Sequence, residues 1–179
     1  ARVVSGLQEA ISRRLDALPP VVVSCGKIEG GKAFNVVADR VTLPGTVRCL
    51  SADLHERLPA WIEETVQAIC GSFGASARVR YRCIAPPVRN DPALTALLER
   101  SAVEQLGADQ VQRLEQPSLG AEDFAELLQD VPGSMFRLGV AGPDGCAALH
   151  NGHFNPEEGA LGVGVQVLTA AMLAWTPTP

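Results

Sequence analysis

Apolar residues recur at Val4, Leu7, Ile11, Leu15 and Leu18, the three-to-four spacing of an amphipathic helix, and Pro19-Pro20 predicts its end. The β-rich run Val21-Val-Val-Ser-Cys25 follows, and Gly26, Gly30 and Gly31 punctuate the residues after it. From Arg40 to Leu50 the pattern alternates, with Val41, Leu43, Val47 and Cys49 set against Thr42, Thr46 and Arg48, and Pro44-Gly45 predicts a bend or bulge. Helical spacing returns at Leu54, Leu58, Trp61, Ile62, Val66, Ile69 and Phe73, with Pro59 predicting either a kink or the true start of the helix. Ala77 to Ile84 alternates again, Val79, Tyr81 and Cys83 facing one way and Arg78, Arg80 and Arg82 the other, as in a strand with one solvated face.

Beyond Pro86-Pro87, Asp91 is placed to cap a helix that opens on Pro92, buries Leu94, Leu97, Leu98 and Ala102, and closes at Gly107. Short strands are predicted over 110–115 and from Ser134 to Val140, with a short helix between them that opens at Gly120-Ala-Glu-Asp-Phe124 and ends at Pro132-Gly133. The last segment, Gly159 to Trp175, has strand-like Val163, Val165 and Val167 but the length of a helix, and a helix is predicted. Residues 1–86 therefore read α-β-β-α-β, a ferredoxin-like module short of its first strand, and the chain begins inside a helix as though it continued something longer.

Charge sharpens the division. Residues 1–86 carry 11 Lys/Arg and 8 Asp/Glu, a balance of +3, whereas residues 87–179 carry 4 and 12, a balance of −8. The boundary falls near Ala85-Pro-Pro-Val88, giving modules 1–86 and 87–179. The acidic second module disfavours nucleic acid, and no stacking aromatics interleave the three arginines of 78–82. The final apolar run is short of the roughly 20 residues that span a bilayer, so no membrane partner is expected. The five cysteines form no CxxC pair and read as reduced thiols of a cytosolic protein. Two of the three histidines, His150 and His153, share the stretch Ala147 to Glu158, where chemistry is expected if the chain has any.

Several segments resemble one family. Gly26-Lys-Ile-Glu-Gly-Gly-Lys-Ala-Phe-Asn-Val-Val-Ala-Asp39 with Leu43-Pro-Gly-Thr-Val-Arg48, then Pro86-Pro-Val-Arg-Asn-Asp91, Gly120-Ala-Glu-Asp-Phe124, Pro132-Gly133 and Leu149-His-Asn-Gly-His-Phe154 follow the order of the zinc-dependent amidohydrolases. These include hippurate hydrolase, auxin-conjugate hydrolases, aminoacylases and carboxypeptidase-G-like enzymes. The resemblance implies an α/β (α+β) fold: most of a ferredoxin-like lid, which also dimerises, followed by only the C-terminal part of an α/β zinc-hydrolase domain.

The resemblance also implies roles. His150 would be a metal ligand for a divalent ion, zinc before manganese, but cannot hold zinc alone, because zinc sites take three or four protein ligands. Arg48 would bind the carboxylate of an N-acyl amino acid or small peptide-like substrate, and Asn35 would help polarise the scissile carbonyl. Glu122 and Asp123 would line the cleft, although acidic residues in the first turn of a helix need no further explanation than its dipole. No residue here matches the family's general base. The expectation is a C-terminal fragment of an amidohydrolase, inactive by itself, with a homodimer formed through the lid and no tightly held metal; the rival reading is a truncated, non-catalytic dimerisation or interaction module.

Overall fold

The computed structural model describes residues 1–15 and 20–176. They fold as two compact units, one of Ala1–Val88 with Gln116–Glu126, the other of Arg89–Glu115 with the chain from Leu127 onward. In the first unit, helix α1 (Arg2–Arg14) leads to strand β1 (Val21–Cys25), strands β2 (Glu29–Gly30), β3 (Val41–Thr42) and β4 (Gly45–Cys49), and helix α2 (Ala52–Gly71). β1 pairs antiparallel with β4, Val23 opposite Val47 and Val22 opposite Arg48, and β2 pairs with β3 as a separate two-stranded ribbon. The break between β3 and β4 falls at Leu43-Pro44, where proline cannot donate to a ladder.

The core of this unit is Leu7, Val23, Leu58 and Ile62, with Val3, Ile11, Val47, Leu54, Val66 and Val79 packed against it. The two helices lie against one face of the β1–β4 pair. Gly6 lets them meet closely: a Cβ there would stand 2.5 Å from Ile69 Cδ1. Gln8 Nε2 donates to the Val23 carbonyl at 2.7 Å, fixing α1 to β1. Ser51 caps α2, its hydroxyl accepting from Leu54 N at 3.3 Å.

In the second unit, helix α3 (Pro92–Leu106) packs on helix α5 (Gly159–Ala174), burying Ser101, Val167 and Ala171. α3 begins as its sequence dictates: Asp91 Oδ1 accepts from Leu94 N at 2.9 Å, and Pro92 occupies the first turn. It ends at Gly107, whose φ of 91° a side chain would strain. The Asn90 carboxamide then pairs with the backbone of Met135, donating to its carbonyl at 2.8 Å and accepting from its N–H at 3.1 Å, while Asp91 N donates to Gly133 O at 2.8 Å. The motif ending in Asn90-Asp91 and the motif Pro132-Gly133 are thus parts of one hydrogen-bonded junction. The short helix α4 (Phe124–Leu127) completes the elements.

Several expectations need correction. The ferredoxin-like module is not formed among the described residues: no strand forms over 77–84, and the sheet has the order β1-β4 alone. Alternation sets which side chains turn inward, and Val79 does pack on the core, but a strand also needs a neighbouring backbone to pair with. In the second unit the two predicted strands do not form: 110–115 and 134–140 contain no strand, a 3-10 turn occupies Ala108–Gln110, and the only extended pairing among the described residues there is the bridge between Gly142 and Gly145. Helix α2 does not start at Pro59, which lies inside it, and Phe73 lies past its end, 68% exposed. α4 stops at Leu127, well before Pro132. The ambiguous last segment is helical, as predicted. The predicted end of the first helix at Leu18 and Pro19 lies outside the described residues.

Leu58 is 2% exposed, so Leu58→Ala is expected to cost about 2–5 kcal/mol of stability in urea unfolding, from lost transfer energy and the cavity left behind. Glu99 accepts two hydrogen bonds from the Arg113 guanidinium, at 2.6 and 2.7 Å, and these hold its carboxyl below the usual glutamate range. A depressed folded-state pKa contributes stability above the unfolded value and loses it as the pH falls through the folded one. Arg113→Ala is therefore expected to return the Glu99 titration, followed by NMR, to the ordinary carboxylate range, removing that acid-side dependence.

Candidate functional site

His150 lies in a loop that closes on its own backbone. Asn151 N donates to Ala148 O at 3.2 Å and Phe154 N to Asn151 O at 3.0 Å. The Asn151 side chain accepts from His153 N at 2.9 Å, and Cys146 Sγ reaches Asn155 O at 3.2 Å. Glu157 N donates to Val140 O at 2.9 Å, fixing the loop's far end. Within this frame His150 has a φ of 67°, the one left-handed non-glycine among the described residues, and it is exposed. A β-substituted residue is disfavoured there by roughly 1–2 kcal/mol. His153 is also exposed, and only its backbone enters the loop's hydrogen bonds.

Three other predicted residues belong to one neighbourhood of the first unit. Arg48, on β4, is not merely solvated: its Nη1 donates to the Leu119 carbonyl at 2.8 Å. That bond ties the 116–126 segment, which carries Glu122 and Asp123, to the sheet. It uses one of the five N–H groups of the guanidinium and leaves most of the fork to other acceptors. Glu122 is half-buried and its carboxylate accepts from Phe124 N at 3.4 Å, while the Glu122 and Asp123 carbonyls accept from Ala125 N and Glu126 N. Both acids thus precede α4 instead of occupying its first turn, and Glu122 serves the helix start. Asn35 belongs to the same unit. It stands on the exposed loop between β2 and β3, in a turn where Val36 N donates to Ala33 O, flanked by a fully exposed Phe34 and by Val37 at 93% exposure. His150 belongs to the second unit.

Beside Arg48 on β4, burial pushes the Cys49 thiol up, an effect partly offset by the backbone of Ser51. Among the described residues, no three His, Cys, Asp or Glu side chains come together to hold a metal ion. His150 offers one imidazole, so the residues of this chain do not by themselves fit the metal centre that the resemblance implies. Among the described residues, no helix is long and apolar enough to cross a membrane.

This two-unit chain, with a histidine turn in one unit and an arginine-tethered acidic segment in the other, matches the family model described as peptidase family M20/M25/M40 over residues 3–174. The chain belongs to that family. It is 45% identical over 177 residues to the protein called Probable hydrolase sll0100 of Synechocystis sp., covering 98% of this chain and 44% of that one. It is 33% identical over 168 residues to the N-acetyldiaminopimelate deacetylase of Priestia megaterium, covering 94% and 44%. Among solved structures, the Bacillus subtilis YXEP protein, described as a dinuclear metal binding peptidase from the M20 family, superposes with a TM-score of 0.74 at 26% identity, over 95% of this chain and 45% of that one.

These matches correct the expectations of fold and function drawn from the resemblance. The family match is not confined to part of the chain, as a partial lid followed by part of a catalytic domain, or a truncated interaction module, would have it: it runs over nearly all the residues. As a separate fact, the chain spans about half the length of the curated relatives it matches.

Reading residue types could not find the Leu119 carbonyl, because any residue supplies one and its partner Arg48 is 71 positions away. The left-handed backbone at His150 likewise has no sequence signal, since histidine there looks like any loop histidine. Relief of that conformation predicts that His150→Gly raises stability by about 1 kcal/mol in chemical denaturation; a less stable variant would mean that the imidazole itself holds the loop.

Proposed function

We propose that the protein carrying this chain hydrolyses the amide bond of an N-acylated amino acid or a small peptide-like amide, with the help of a divalent metal ion. The observation that carries this reading is the family match over residues 3–174. The deacetylase name of the Priestia megaterium relative supports an N-acyl amino acid as the substrate class. The description of the Bacillus subtilis structure as a dinuclear metal binding peptidase supports a metal-dependent reaction, and the ion proposed is divalent, zinc before manganese. His150 is the ligand this chain would offer, held on a loop whose backbone leaves the imidazole exposed.

The chain's own residues divide the remaining work. Arg48 takes the substrate carboxylate: one N–H is fixed on Leu119 O, which orients the guanidinium, and the rest of the fork suits two carboxylate oxygens. Asn35 polarises the scissile carbonyl with its amide N–H. The exposed Phe34 and Val37 beside it give its loop an apolar surface to bury when it closes over substrate or against a second copy. Glu122 and Asp123 act on position, through the segment that Arg48 tethers. Pairing of two copies through the first unit belongs to the same reading.

The test uses the protein that carries this chain, supplied with zinc or manganese and an N-acetyl amino acid. Arg48→Ala is expected to raise KM about tenfold with a smaller change in kcat, because a binding contact is lost. His150→Ala is expected to lower both the bound metal, measured by elemental analysis, and acetate release, the latter on the order of 100-fold or more. Metal-loaded protein that releases no acyl group from any N-acyl amino acid would refute the reading.

A further inference from the structure

His55 lies in α2, whose N-terminus Ser51 caps, and Cys83 lies 28 residues later in the extended segment after that helix, yet Cys83 Sγ and His55 Nε2 are 3.2 Å apart. Cys83 is exposed. Cys49 and Tyr81 are its neighbours, close enough for the charges of the three groups to act on one another. Cys49 differs from Cys83 in being partly buried and hydrogen-bonded to the Ser51 carbonyl, at 3.7 Å. None of these four side chains has a part in the amide hydrolysis argued above.

We propose that Cys83, with His55 as its proton acceptor, is a site of covalent oxidation by hydroperoxides. The nucleophile in such chemistry is the thiolate, and an imidazole nitrogen within hydrogen-bonding distance is placed to take the thiol proton as the sulfur attacks. A hydroperoxide suits the pair because its leaving oxygen needs a proton, which the same nitrogen then returns. The sulfur attacks one peroxide oxygen, the S–O bond forms and the O–O bond breaks. Cys83 becomes a sulfenic acid, oxidised by two electrons, and the peroxide is reduced to an alcohol or, from hydrogen peroxide, to water. The exposure of Cys83 admits the oxidant. Burial pushes the Cys49 thiol up, so the nearest second thiol stays protonated and serves as an internal control.

The experiment treats the folded protein with hydrogen peroxide in the presence of dimedone, which traps sulfenic acids, and measures labelling at each cysteine by peptide mass spectrometry. Cys83 is expected to be labelled at least about tenfold faster than Cys25, Cys49, Cys70 and Cys146. In the urea-unfolded protein that advantage is expected to vanish, because the His55 contact is gone. His55→Gln keeps a helix-compatible side chain without a basic ring nitrogen, and it is expected to bring Cys83 down to the rate of the other thiols while circular dichroism stays unchanged. Labelling of Cys83 no faster than Cys146 in the folded protein, or an advantage that survives unfolding, would overturn the proposal without any appeal to the variant. An unchanged Cys83 rate in folded His55→Gln would overturn it as well.

Discussion

The first unit depends on helix α2 continuing through Pro59. Proline has no N–H to give the carbonyl four residues back and crowds it, at a cost of about 3 kcal/mol or more in a helix interior. The residue before it, Leu58, is 2% exposed, and Ile62, one turn on, is 6% exposed. Burying each of these side chains is worth about 1.5–3 kcal/mol, and the Ser51 cap adds roughly 1 kcal/mol. Together these outweigh the proline, and the helix keeps its first two turns. Those turns matter because Ser51 stands only two residues after Cys49, the last residue of β4. The cap therefore fixes the end of the strand that carries Arg48, and it carries His55 to Cys83.

What was legible in the sequence was what neighbours along the chain decide. Asp91 and Pro92 start α3 and Gly107 ends it because a cap, a fixed φ and a positive φ are local requirements. Pro44 interrupts the ribbon for the same kind of reason. The faces of 77–84 were legible only in part: Val79 lies against the core and Arg78 and Arg80 are exposed, but Tyr81 and Cys83, predicted to face the way Val79 does, are exposed as well. What alternation could not supply was a pairing partner. In the second unit, side chains take the place that a ladder would have taken. The Asn90 carboxamide gives Met135 the donor and the acceptor that a neighbouring strand would have given it, and Thr95 Oγ1 meets Ser134 Oγ at 2.9 Å. A strand predicted over 134–140 fails there because its backbone begins by bonding to a side chain.

The candidate site divides in the same way. The residue types in the motifs carried the family, and the match extends over nearly the whole chain. Their individual geometry was hidden. Arg48 read as a solvated strand arginine from its place in the alternation, yet it is bonded to a carbonyl 71 residues away. Glu122 read as a charge at a helix start, and its carboxylate does accept from a backbone N–H there.

The loop around His150 shows a mismatch between backbone and residue type. Left-handed backbone is the conformation that glycine adopts without penalty, and Gly145 does so at a φ of 83° five residues earlier. Gly152 stands two residues after His150 but has no positive φ, while His150 takes the strained position. If the loop were shaped for stability alone, the two residue types would be better exchanged. Neighbouring hydrogen bonds from Asn151, Phe154 and Glu157 fix the loop ends firmly enough to impose the conformation. The strain is thus borne where it carries an imidazole out to solvent, an arrangement that stability does not explain.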